Sequence, residues 1–73
     1  MTTHLNKHQI IMIIDEKMRL TVITTGKTFF LEGDRRHLDD LLEDIDSSGF
    51  IGSLIIPETL KIIAQVPTRQ DLI

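Results

Sequence analysis

The sequence predicts a small α+β domain: an antiparallel sheet, in chain order β-β-β-α-β-β, with one amphipathic helix packed on one face. Three observations predict it. The runs Ile10–Ile14, Leu20–Thr25 and Lys27–Glu32 are rich in β-branched or aromatic residues and separated by polar or glycine turns, as in an antiparallel meander. Leu38, Leu41, Leu42 and Ile45 recur at i, i+3, i+4 and i+7, which makes one stripe of a helix. The third observation is the absence of cysteine from 73 residues. A chain this short sits near the lower limit for one hydrophobic core. Without disulfides or a thiolate zinc site, it must rely on packing or self-association.

Each element has a local reason. Residues 1–8 carry one leucine among polar side chains and are expected to be a loosely held start; 68–73 form a similar tail on a single domain spanning 1–73. Ile10-Ile11-Met12-Ile13-Ile14 favours a strand, because β-branched residues lose χ1 freedom in a helix. A run apolar at every position is expected in a strand covered on both faces, central in the sheet or at an oligomer interface. Residues 15–19 are a polar turn. Leu20 to Thr25 is a second strand, and Gly26 permits a tight turn because it takes positive φ without steric cost. Lys27 to Glu32 is the third strand.

Asp34 is placed to cap the helix over 35–47, its carboxylate accepting from the free amides of the first turn. Gly49 is expected in the left-handed conformation just past the helix end. Phe50 to Ile56 reads as a strand, and Pro57-Glu58 fits the centre of a turn. Leu60, Ile62, Ala64 and Val66 then alternate with period two, as in a strand paired back in a hairpin. The same residues also allow a short helix starting at Pro57. Pro67 ends the element. One helix cannot cover both faces of such a sheet, so a second copy of the chain is the simplest cover for the other face.

The net charge is −3, too mild for a general nucleic-acid binder, and it is unevenly spread. Residues 34–46 hold six acids and two bases, a charge of −4; the remainder holds five acids and six bases, +1. The outer helix face is therefore an acidic strip. Asp39, Asp40, Glu43 and Asp44 are the candidate surface for a protein partner. The strip opposes the helix dipole, with Arg35 and Arg36 in the first turn and Asp44 and Asp46 in the last. The i, i+4 pairs Arg35–Asp39 and Arg36–Asp40 offset part of that. Arg35, Arg36 and His37 at the helix N-terminus form a weaker candidate seat for a small anion.

Other patterns carry no chemistry. His4 and His8 have a chelating spacing only on a helix, and they lie in the polar start with no third ligand. Gly26-Lys27-Thr28 copies the end of a phosphate loop, but Thr21 stands where the first glycine belongs and strand residues follow. No nucleophile elbow, dinucleotide fingerprint or general-acid pair is present, so no enzyme, no cofactor and no metal are expected. The longest apolar run is five residues, against about 20 for a membrane span. A cytoplasmic protein without membrane attachment is expected.

Two short stretches resemble known families. Thr25-Gly26-Lys27-Thr28, Leu31-Glu32 and the following helix resemble the opening hairpin and helix of ubiquitin and its β-grasp relatives, which implies a hairpin packed across a helix. An extra strand before the hairpin and Asp71-Leu72-Ile73 in place of a diglycine tail depart from that pattern. Gly52-Ser53-Leu54-Ile55-Ile56-Pro57-Glu58-Thr59-Leu60, followed by Lys61, resembles the strand and turn of AbrB-type swapped-hairpin DNA-binding proteins. The acidic balance and the short remaining chain depart from it.

The expectation is thus a small protein-interaction module, a regulatory or inhibitory subunit working as a homodimer, of the size of a bacterial or phage accessory protein. The alternatives are a dimeric nucleic-acid-binding transcriptional regulator, using Lys17, Arg19, Lys27, Lys61 and Arg69, or a small anionic-ligand-binding protein.

Overall fold

A computed structural model describes residues 3–68. It is a small antiparallel α+β fold with one helix. The strands are β1 (Thr3–Asn6), β2 (Ile10–Asp15), β3 (Arg19–Thr24), β4 (Lys27–Glu32), β5 (Ser53–Ile56) and β6 (Lys61–Pro67), and the helix α1 is Arg35–Ser47. A single 3₁₀ turn, Lys7–Gln9, joins β1 to β2. The strands form two sheets. β2-β3-β4-β6 make a four-stranded antiparallel sheet, and β1 pairs antiparallel with β5.

Helix α1 has the predicted bounds because its apolar stripe is dense. Leu38, Leu41 and Ile45 are buried, and Leu42 packs at the margin. The opposite ends of alternate strand residues meet that stripe. Leu20 and Val22 of β3 lie opposite Leu31 and Phe29 of β4, and all four are buried. Leu54 and Ile56 of β5 and Leu60 of the following turn complete the core. Gly33 is needed at the β4–α1 link, where a Cβ would come within 2.6 Å of the buried Leu60 Cδ2.

Several expectations are corrected. The start of the chain is not loosely held from residue 3: Thr3–Asn6 pairs with β5, and Leu5 packs against the core. β5 and β6 do not form a hairpin. The Pro57 turn, closed by Leu60 N–H to Pro57 O at 3.1 Å, carries the chain from one sheet to the other. Residues 61–67 form the strand that the period-two alternation favoured over a short helix, because β4 offers a ladder to pair with. β2 is an edge strand, not a central one.

Asp34 occupies the N-cap position, but its side chain makes no capping hydrogen bond. Gly26 does not use positive φ; Thr24 closes that turn instead. Its hydroxyl donates to Lys27 O at 2.6 Å and accepts from Lys27 N–H at 3.0 Å. Gly49 is left-handed as expected, at φ 63°, and Phe50 follows at φ 65°, a conformation strained for a bulky residue. The tail residues 69–73, with Arg69, lie outside the described residues.

Candidate functional site

The acidic strip is half committed to holding the fold. Asp39 Oδ1 accepts from Arg35 Nε at 3.0 Å, and Asp44 Oδ1 pairs with Lys7 Nζ at 3.3 Å. Asp40 and Glu43 are exposed and, three residues apart, are neighbours on the outer face of the helix. Asp40 and Asp44 border a shallow groove of about 240 Å³ with His37 and Ile55. Glu43 and Asp46 border a second, of about 450 Å³, floored by Ile13, Leu42 and Phe50. The four predicted partner residues form one exposed strip along α1, with a groove on either flank.

The predicted anion seat is not assembled. Arg35 lies along the surface as a clamp onto the β2–β3 turn: it pairs with Asp15 at 2.9 Å and with Asp39, and donates to Glu16 O at 2.8 Å and Lys17 O at 3.3 Å. Its hydrogen bond to Asp15 chiefly, with the charges of Asp15 and Asp39, raises its pKa above the ordinary arginine value. A raised pKa keeps the guanidinium charged at all lower pH, so the clamp is no switch near neutrality. Arg36 is exposed, and His37 is half-buried beside Asp40 and Asp44 rather than beside the arginines.

Lys7 was not legible as a structural residue. It is buried, and its ammonium donates to Asp44 O at 3.1 Å and to Ser48 Oγ at 2.9 Å while pairing with the Asp44 carboxylate. Helix α1 has no base in its last turn. The cation that its C-terminal dipole favours arrives instead from 37 residues earlier in the chain. That missing base was the available signal.

A further surface is the outer face of the four-stranded sheet. Alternation along paired strands puts residues of opposite faces in successive positions. Two rows cross this face: Ile14, Thr21, Phe30 and Ala64, then Met12, Ile23, Thr28 and Val66. Both are mainly apolar, and Met12, Ile14 and Val66 are 54%, 43% and 43% exposed. A third row, at the end near the β2–β3 turn, is charged. It holds Arg19, Glu32 and Lys61, continued by Glu16, whose N–H bonds Arg19 O at 2.9 Å. Arg19 and Glu32 approach to 4.0 Å.

The two sheet edges differ. β2 presents Met12 to Asp15 with no base and no proline, and among the described residues no strand pairs with its outer side. β6 carries Lys61, Gln65 and Pro67, residues that discourage pairing. Among the described residues no cluster of three or more His, Cys, Asp or Glu could hold a metal, and no helix is long and apolar enough to cross a membrane. Comparisons with protein-family models, curated proteins and solved structures find no match to this chain.

Proposed function

We propose that this chain is a small protein-interaction module, a regulatory or inhibitory subunit that acts by contact and works as a cytoplasmic homodimer. The observation that carries this reading is the apolar outer sheet face. An antiparallel sheet with one solvated face ordinarily alternates apolar and polar residues. Here two of the three outer rows are mainly apolar as well, and only the inner face is covered by α1 and β5. Four strands at about 4.8 Å spacing and three residue rows give a footprint on the order of 300 Å². That is the size at which the largest patch on a monomer tends to be functional. Two of the three rows are apolar, so at about 25 cal/mol/Å² covering that share on both copies contributes roughly 10 kcal/mol gross. Association costs of about 4–15 kcal/mol leave a modest net affinity. The dimer is therefore concentration-dependent.

In such a dimer both α1 helices point outward. The exposed Asp40 and Glu43, together with Asp39 and Asp44 at their margins, offer acidic ground for a basic partner on each side. The β2 edge, which carries no base and no proline, is a second route, by strand addition. The basic residues give little support to a nucleic-acid reading. Lys7 is buried, Lys17, Arg19 and Lys61 share one end of the sheet with Glu16 and Glu32, and Lys27 lies at the other end. The test is a comparative pull-down from the native host with wild type and with Asp40→Lys/Glu43→Lys, which leaves the Lys7–Asp44 pair intact. Loss of specific partners from the reversed protein supports the acidic surface; an unchanged set contradicts it.

A further inference from the structure

We infer that the second copy packs face to face on the outer sheet, about a two-fold axis that runs parallel to the strands and between β3 and β4. This deepens the homodimer reading and rests on it. The argument is the charged row. Across the sheet, in the order β2-β3-β4-β6, it runs Glu16, Arg19, Glu32, Lys61: minus, plus, minus, plus. Rotation by 180° about an axis along the strands exchanges β3 with β4 and β2 with β6, and leaves each row over its own copy. Arg19 then faces the partner's Glu32, and Glu16 faces the partner's Lys61. All four charges meet their opposites. An axis across the strands would instead lay this row over the far end of the face, where no such charges stand.

The apolar rows fit the same operation. Ile14 falls over the partner's Ala64, and Phe30 falls over the partner's Thr21, large against small in both cases. Such interdigitation suits two sheets stacked about 10 Å apart with strands within about 30° of alignment. Self-complementarity of one patch is what a two-fold interface requires. The helix side of the molecule lacks it, since a copy laid on the acidic strip would set acid against acid.

The test uses a contact that one chain cannot make alone. β2 and β6 are three strand spacings apart, about 14 Å, so Glu16 and Lys61 do not reach each other within a protomer. Sedimentation equilibrium on the full chain is expected to give a dimer whose Kd rises about tenfold in Glu16→Lys, since two pairs turn from attractive to repulsive. Lys61→Glu in the same chain is expected to restore the Kd to within about twofold. A mixed isotope-labelled sample should show an Ile14-to-Ala64 methyl NOE between chains. A dimer indifferent to Glu16→Lys, or one whose interchain NOEs map to the β2 edge, would overturn this packing while leaving the homodimer standing. A wild type monomeric at every concentration would overturn both and leave the face to a foreign partner.

Discussion

The two faces of the four-stranded sheet are made by the same strands and differ by one residue in phase. The inner face sends Leu20, Val22, Phe29 and Leu31 into a core sealed by α1 and β5. The outer face sends Met12, Ile14, Ile23, Phe30 and Val66 outward, with only their own neighbours to shield them. Composition distinguishes the two only in part, because two of the three outer rows are mainly apolar too. Cover separates them. The inner face explains why the chain folds; the outer face is the one we propose a second copy covers.

The comparison can be broken first on the inner side. Leu38 is fully buried under the sheet, and Leu38→Ala is expected to cost about 2–5 kcal/mol of unfolding free energy, the range for a leucine cavity in a core. Urea denaturation of the monomer at low concentration measures it. Next is Lys7. Lys7→Met keeps the stem's packing and removes the charge from Asp44 and the α1 carbonyls. About 1–3 kcal/mol is expected, below the cost of breaking a fully buried pair because Asp44 remains largely exposed to water. If the loss is below about 0.5 kcal/mol, the ammonium's bonds are not structural.

The outer face should behave in the opposite way. Ile14→Lys is expected to change monomer stability by less than about 1 kcal/mol, since the side chain is already 43% exposed, yet to abolish self-association. A large loss of monomer stability without loss of dimer would show that this face is core after all. The smallest effect belongs to the helix exterior. Asp40→Lys/Glu43→Lys should shift stability by no more than about 0.5 kcal/mol, as exposed groups away from packing do. Thermal melts monitored by circular dichroism would detect anything larger.

What the sequence disclosed follows from how local each feature is. α1 was legible because Leu38, Leu41, Leu42 and Ile45 declare a helix within one window. β2, β3 and β4 were legible because tight turns set neighbouring strands side by side. β1 was hidden because its only apolar residue near the core is Leu5, and its partner β5 lies some fifty residues away. The same long-range pairing drew β5 away from β6, and the ladder on β4 decided strand over helix for 61–67. Lys7 was hidden because a lysine's ordinary place is in water. The acidic strip was visible as composition, but whether Asp39 and Asp44 serve a partner or the fold depended on Arg35 and Lys7. The alternating row from Glu16 to Lys61 required strand order and register, neither of which is local.

The uncovered outer face is the central claim, and mass in solution tests it most directly. Sedimentation equilibrium of the full chain over a range of concentrations should show a reversible rise from 8.4 kDa to twice that value. A mass fixed at 8.4 kDa at every concentration would contradict the account.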